Sequence, residues 1–263
     1  PCAWPRVYNA GEMELGVQAI ALLAAAAFGA GLVDAIGGGG GLVTVPALLA
    51  AGLGPHAVLA TNKGQASFGA TASFATYFRR GGLDRSKVPW GLASGFIGSL
   101  AGAELVSLIP PAPLRPLVLV LLGAAAVVMI LREHLLRPSA PNSDGKWGVV
   151  ALGLAGGAYD GFFGPGTGTL LIAGFVHFFG DSPTRASGNA KVINFGSNIA
   201  ALLVFQLRGS VAWPVALPMG VANWVGANIG ARLALRHGDR TVRVVVLSVA
   251  AAVTIKVALD LLS

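Results

Sequence analysis

Long stretches of this chain carry almost no formal charge. Between residues 15 and 78 the only charged side chains are Asp34 and Lys63, and residues 209–231 contain none. A helix crosses a bilayer with about 20 predominantly apolar residues. Charged residues make up 11% of the 263 residues, against about 25% in soluble domains, and the mean hydropathy is +0.72. These runs predict an all-α integral membrane protein rather than a soluble protein with an apolar core.

The apolar segments fall into two sets that share one order of lengths: long, short, long, long, long. The first set is predicted at 15–36, 42–53, 57–78, 88–108 and 114–131, and the second at 147–163, 167–179, 185–207, 213–235 and 242–262. We therefore divide the chain into a tail (1–14), a first repeat (15–136), a polar linker (137–146) and a second repeat (147–263). The tail lacks the apolar core of a signal peptide, and we expect it to be sequence upstream of the membrane domain.

Identical residues recur at a constant spacing in the two sets. Lys63 and Lys191 are 128 positions apart (191 − 63 = 128). The same offset relates Arg80 to Arg208, Gly81 to Gly209, Gly98 to Gly226, and Gly102 to Gly230. This register predicts two homologous halves that together form one transport-type domain.

The basic residues concentrate in a few loops. Arg and Lys cluster at 79–87, 132–146 and 232–243, whereas the loops 109–113 and 209–214 carry no charge. The basic loops, including the linker, are therefore predicted to be cytoplasmic. Five helical segments per half then place the two halves in inverted orientation, with both termini outside an inner (plasma) membrane. On this interpretation the net charge of +7 reflects topology, and no nucleic-acid partner is expected.

Each half contains an aspartate directly before a glycine-rich run, DAIGGGGG from Asp34 and DGFFGPGTG from Asp160. A backbone break at membrane depth is tolerated only where it packs against protein or lines a wet cavity. The helix that starts after such a break offers free N–H groups and a positive dipole end, which attract anions. The runs predict broken or re-entrant first helices and an anion site. Neither run ends in the Gly-Lys-Ser/Thr of a nucleotide-binding loop.

Two further polar segments, ATNKGQAS (60–67) and GNAKVINFGSN (188–198), each place a lysine within an apolar helix. A charged side chain inside a membrane is costly and usually functional, although Lys63 and Lys191 could instead extend to the interface. Asp34 and Asp160 are predicted either to accept a coupling proton or ion, or to pair with these lysines. The candidate substrate-binding residues are Gly38, Gly39, Gly40, Thr61, Asn62, Lys63, Gln65, Gly166, Thr167, Gly168, Asn189, Lys191, Asn194 and Asn198.

Other polar residues are interpreted as structural. Glu104, Lys256 and Asp260 lie nearer helix ends, and Asn223 and Asn228 are expected to form hydrogen bonds between helices. His56 and His177 are expected to be interfacial, since no second histidine lies at ligand spacing. Cys2 is the only cysteine, which excludes an intrachain disulfide and a cysteine cluster for a metal. No metal site and no cofactor are predicted.

The motifs GLVDAIGGGGGLVTVPALLAAG with LATNKGQASFGA, and GGAYDGFFGPGTGTLL with ASGNAKVINFGSNIAALLVF, carry a resemblance. Over residues 15–263 the chain resembles the sulfite exporter TauE/SafE family, also called the toluene sulfonate uptake permease family. The resemblance implies an inner-membrane permease for a small sulfur-containing or organic anion such as sulfite, sulfoacetate or another sulfonate. The second half departs from a GTxK pattern common in the family, because it reads Gly188-Asn189-Ala190-Lys191.

Besides a pure scaffold or sensor, two other functions stay open at this point. A channel-like anion or ion pore would use the same polar residues, and two intramembrane aspartates could form a hydrolytic dyad. The second is disfavoured because Gly31-Leu32-Val33, rather than a GxG motif, precedes Asp34. We expect a secondary transporter and not an enzyme, with proton coupling left open.

Overall fold

The computed structural model describes residues 15–135 and 145–238, with backbone alone for 128–135. These residues form α-helices and contain no strand. The helices are α1 (Val17–Gly37), α2 (Gly41–Ala50), α3 (Pro55–Arg79), α4 (Val88–Ser107), α5 (Pro111–Leu135), α6 (Lys146–Phe162), α7 (Thr167–Phe179), α8 (Pro183–Leu207) and α9 (Trp213–His237). The tail, most of the linker, Lys256, Asp260 and the predicted segment 242–262 lie outside the described residues. The all-helical fold class is therefore confirmed for the described part of the chain.

Proline and glycine fix several helix boundaries. Helices α3 and α8 each begin at a proline and each contain 25 residues, and their first residues, Pro55 and Pro183, are again 128 apart (183 − 55 = 128). Proline is favoured in a first turn because its fixed φ suits a helix and its missing N–H would have no helical partner there. The polar segments 60–67 and 188–198 therefore lie on two helices of equal length, which begin at equivalent positions of the repeat.

The two glycine-rich runs break the helices where the sequence predicts. Gly38 and Gly39, between α1 and α2, have φ of +76° and +93°, and Gly164 and Gly166, between α6 and α7, have φ of +99° and +86°. Side chains other than glycine rarely adopt these positive φ values. Broken helices are thus observed in both halves, while the re-entrant path of α2 and α7 stays a prediction.

Helices from opposite halves pack closely on each other in a reciprocal pattern. Helix α4 lies along α6, and its counterpart α9 lies along α1. A Cβ atom on Gly98 or Gly102 would collide with the carbonyl oxygens of Leu154 or Ala158, and one on Gly226 or Gly230 would collide with those of Phe28 or Leu32. The glycines that recur at the offset of 128 therefore occupy matching positions in two helix–helix contacts, where only glycine lets the backbones approach.

Helices α3 and α8 lie at the centre and bury most of their residues. Outer helices instead expose large apolar side chains, including Val17, Leu22, Ile97 and Val221. Among the described helices, Val17–Gly37 and Pro183–Leu207 are both long enough and apolar enough to cross a membrane, with mean hydropathies of 2.1 and 1.3. The arrangement is a polar centre with an apolar exterior, as expected for a protein in lipid.

Candidate functional site

The two glycine breaks are in direct contact at the centre of the fold. A Cβ atom on Gly38 would overlap the backbone of Gly168 and Thr169. Thr169 also donates a hydrogen bond from Oγ1 to the carbonyl of Gly37 at 3.1 Å. The contact places the N-terminal ends of α2 and α7 beside each other, so the structure brings together the breaks that lie about half the chain apart in sequence.

Two lysine–aspartate pairs join the halves at this contact. Lys63 Nζ lies 2.8 Å from Asp160 Oδ1, and Lys191 Nζ lies 2.7 Å from Asp34 Oδ2. The lysine side chains are 3% and 0% exposed, so neither extends to the protein surface. Each lysine therefore binds the aspartate of the other half. The structure thus contains the lysine–aspartate pairing that was one of the two roles predicted for the acids.

The two aspartates differ in their surroundings. Asp160 is 5% exposed, and its Oδ2 also accepts hydrogen bonds from Ser197 Oγ and, at 3.3 Å, from Asn198 Nδ2. Asp34 is 33% exposed, and besides Lys191 its carboxylate accepts a 3.3 Å hydrogen bond from the backbone N–H of Gly40. The carboxylate of Asp160 is thus enclosed by hydrogen-bond donors, whereas that of Asp34 is partly exposed.

A small polar cavity of about 40 Å³ lies between the pairs. A water needs roughly 10–15 Å³ of such space, so the cavity has room for a few waters. The predicted site residues that line it are Asp34, Gly39, Gly40, Asn62, Lys63, Gln65, Asp160, Gly166, Thr167, Gly168, Asn194 and Asn198.

Amide side chains form much of the cavity wall. Asn62 Oδ1 accepts hydrogen bonds from Thr44 Oγ1 at 2.6 Å and from Gln65 Nε2 at 3.0 Å. Gln65 Oε1 in turn accepts a 2.6 Å hydrogen bond from Asn223 Nδ2. On the opposite wall, Asn194 Oδ1 is buried with no hydrogen-bond partner among the described residues. The chain of bonds orients three of the amide side chains that line the cavity, Asn62, Gln65 and Asn223.

Four predicted residues lie elsewhere. Gly38 packs on Gly168, and Lys191 lies behind Asp34, bonded to it and fully buried. Thr61 Oγ1 accepts a hydrogen bond from the N–H of Ala212 at 3.1 Å. Asn189 bridges two loops, because its Oδ1 accepts from the N–H of Asp84 and its Nδ2 donates to Asp181. Neither Thr61 nor Asn189 belongs to the cavity wall as described.

Several residues of the cavity wall are not among those predicted from the sequence, namely Gly41, Ala66, Ala70, Gly164 and Asn223. We interpreted Asn223 as a contact between helices, and it does bind Gln65 of α3. Its position within a run of uncharged residues was the available signal that it faces a polar interior. Asn228 fits the structural interpretation, since its Oδ1 accepts a hydrogen bond from Thr76 Oγ1 at 3.0 Å.

A second charged cluster lies away from the cavity, between the α3–α4 and α7–α8 loops. Lys87 Nζ binds Asp181 Oδ2 at 3.0 Å and lies 3.9 Å from Asp84 Oδ2. Burial raises the pKa of the Asp84 carboxyl, but hydrogen bonds from Ser86 and the charges of Lys87 and Arg185 outweigh it, so the net pKa is lowered. The cluster ties the α7–α8 loop of the second half to the α3–α4 loop of the first half, which is predicted to be cytoplasmic.

The sequence pattern of the family described as Sulfite exporter TauE/SafE matches residues 23–257 of the chain. This match includes both glycine breaks, both lysines and both aspartates of the site. The chain belongs to the sulfite exporter TauE/SafE family.

Curated relatives cover most of the chain. It is 36% identical over 250 residues to "Probable membrane transporter protein ORF9" of Sinorhizobium sp, covering 94% of this chain and 95% of the relative. It is 37% identical over 237 residues to "Probable membrane transporter protein YfcA" of Escherichia coli (strain K12), covering 88% and 86%. A "Probable membrane transporter protein" of Haemophilus influenzae is 34% identical over 255 residues, covering 94% and 98%.

No solved structure matches the fold. The family and these relatives identify the chain as a member of a membrane transporter family. Its multi-helical fold with an apolar exterior is consistent with several passes through a membrane.

Proposed function

We propose that the protein is a secondary transporter for a small sulfur-containing or organic oxoanion, such as sulfite, sulfoacetate or another sulfonate. The observation that carries this proposal is the cavity that Lys63 lines beside the N-terminal ends of α2 and α7, with Lys191 buried behind Asp34 of its wall. Helix N-termini and ammonium groups both stabilise negative charge. A compact anion with several strong acceptor oxygens matches these donors.

The aspartates explain how such a site exists without a bound anion. Each lysine charge is balanced by a carboxylate within 3 Å, which avoids the cost of an unpaired charge in an apolar interior. An entering anion would compete with an aspartate for its lysine. The relatives' printed names support transport in general, and the description sulfite exporter supports the choice of a sulfur oxoanion.

The reciprocal packing of the halves supports a transport cycle by alternating access. In transporters built from inverted repeats, the substrate site lies at the repeat interface and is formed by broken helices. We infer that the two halves are inverted across an inner membrane, with the basic loops cytoplasmic and both termini outside. Movement of one half against the other would then open the cavity to either side.

A channel-like pore and a hydrolase are the alternative functions. A pore would conduct through the same cavity without saturation. A hydrolytic pair of aspartates shares one proton between two adjacent carboxylates, whereas here each carboxylate binds its own lysine. The geometry therefore favours transport over hydrolysis.

The test is uptake of ³⁵S-labelled sulfite by proteoliposomes that contain the purified protein. We expect saturable uptake that unlabelled sulfite or sulfonates inhibit. The variants Lys63→Ala and Lys191→Ala should reduce uptake at least tenfold, while Lys146→Ala, at an exposed position, should not. Thermal stabilisation by a panel of sulfite, thiosulfate, sulfoacetate, taurine and aromatic sulfonates would rank the substrates, because a ligand stabilises the state it binds. Flux that does not saturate with rising sulfite concentration would indicate a pore. Unchanged uptake in both lysine variants would contradict the proposed site.

A further inference from the structure

The two lysine–aspartate pairs are related by the repeat but have different surroundings. We propose that the Lys191–Asp34 pair is the one that opens, with Asp34 taking up a proton when an anion binds, whereas the Lys63–Asp160 pair stays closed as a structural link. This inference rests on the proposed function, since it assigns proton coupling to one of the two acids of the same site.

The hydrogen bonds separate the two acids. Asp160 accepts from three side-chain donors, Lys63, Ser197 and Asn198, and each such bond favours the ionised carboxylate. Asp34 accepts from Lys191 and from one long backbone bond of 3.3 Å. Asp34 is also 33% exposed, against 5% for Asp160, so it is the acid that a proton can reach at lower cost.

The repeat shows why the two acids differ. Ser197 and Asn198 correspond, at the offset of 128, to Gly69 and Ala70 on α3 (197 − 128 = 69). Neither Gly69 nor Ala70 has a side-chain donor, so the bonds that enclose Asp160 have no counterpart at Asp34. Asn223 Oδ1 occupies the space beside Gly69, where the counterpart of the Ser197 hydroxyl would lie. The difference in hydrogen bonding between the two acids therefore follows from the residue types on α3 and α8, and does not depend on the position of one flexible side chain.

The charged and titratable groups around Asp34 come from a few elements. Helix α8 supplies Lys191, and α3 supplies Tyr77, whose hydroxyl donates to the carbonyl of Ala35 at 3.0 Å, as well as Lys63 across the cavity. Helix α6 supplies Asp160 on the opposite wall. The residues that α2, α7 and α9 bring to this cavity in the described structure, which include Gly40, Gly168 and Asn223, carry no charge.

Protonation of Asp34 has a direct consequence for anion binding. It converts the carboxylate to a neutral acid and leaves the Lys191 ammonium fully buried without its counter-ion. An uncompensated buried charge is strongly unfavourable, and an anion in the cavity that Asp34 lines would replace the lost carboxylate. Proton uptake and anion binding therefore favour each other, and by linkage each raises the affinity for the other by the same factor. The proton and the anion would cross together.

A labelling experiment tests this without any transport assay. Dicyclohexylcarbodiimide reacts with protonated carboxyl groups in apolar surroundings, and mass spectrometry of the digested full-length protein locates the adduct. We expect Asp34 to be labelled increasingly as the pH falls, with roughly tenfold less label on Asp160. The variant Asp34→Asn should lose this label. Equal labelling of both acids, greater labelling of Asp160, or no label on Asp34 would overturn the proposal.

Transport gives the second test. In Asp34→Asn proteoliposomes, whatever their basal rate, sulfite uptake should no longer accelerate when an inward proton gradient is imposed. Wild-type dependence on the proton gradient in Asp34→Asn would overturn the assignment of Asp34. Absence of sulfite uptake by the wild-type protein would instead contradict the proposed substrate, while the labelling result would still decide between the two acids.

Discussion

The Nζ atom of Lys63, in the first half of the chain, lies 2.8 Å from Oδ1 of Asp160, in the second half. Because Lys191 binds Asp34 in the same crossed manner at 2.7 Å, each of the two ion pairs at the cavity takes one residue from each half. The balance of charge at the cavity therefore depends on the contact between the halves. Opening of the Lys191–Asp34 pair alone would make Lys191 available to an entering anion.

The first prediction concerns the closed pair. Lys63→Ala leaves Asp160 buried without its cation, and we expect a loss of about 3–5 kcal/mol in unfolding free energy. The double variant Lys63→Ala/Asp160→Ala removes both charges and should recover part of this loss. Unfolding of the detergent-solubilised protein, followed by intrinsic fluorescence, measures both effects. A single variant as stable as the wild type would show that the pair contributes nothing to folding.

The second prediction concerns the close contact between α9 and α1. Gly226→Ala places a methyl group against the carbonyl oxygen of Phe28, and overpacking of this kind typically costs about 1–3 kcal/mol. The matched control is Gly29→Ala on α1, where no described atom lies within 4 Å of the new Cβ. The control should change stability by no more than about 1 kcal/mol. Equal thermal shifts in the two variants would contradict the tight packing at Gly226.

The third prediction is a pH dependence at the loop cluster. The net pKa of Asp84 is lowered in the folded protein: burial raises it, but hydrogen bonds from Ser86 and the charges of Lys87 and Arg185 outweigh burial. Its ionised form thus stabilises the fold above the carboxyl pKa of the unfolded chain, and this stabilisation disappears as the pH falls through the folded-state pKa. Asp84→Asn should therefore lower the Tm at neutral pH and converge with the wild type in acid. A constant Tm difference at every pH would contradict this assignment.

The fourth prediction tests the orientation in the membrane. In a Cys2→Ser background, cysteines introduced at the exposed positions Arg85 and Arg236 should resist a membrane-impermeant maleimide added to intact cells, because basic loops are retained in the cytoplasm. Ala112→Cys, in an exposed position of the uncharged loop, should react and serves as the positive control. Reaction at both arginine positions from outside would reverse the proposed topology.

Local patterns in the sequence were sufficient to predict much of the architecture. The positions of the helices follow from the length of apolar runs and from proline and glycine at their ends, since these effects act within one helical turn. The glycine breaks and the buried lysines were also predictable, because a polar or flexible residue within an apolar run must be enclosed by protein. The constant offset of 128 further indicated which residues occupy equivalent places.

The partners of those residues were decided by the tertiary structure alone. Sequence spacing placed Thr61 and Asn189 in the site beside Asn62 and Lys191, but helix rotation turns Thr61 towards Ala212 and position along α8 places Asn189 at the loops. The contact of Asn223 with Gln65 joins α9 to α3, which no local pattern encodes. The crossed pairing and the unequal enclosure of Asp34 and Asp160 likewise arise only when the halves pack together. The lysine of each pair comes from the other half, and the donors that enclose Asp160 come from α8 of its own half, so both features are set by the packing of whole helices.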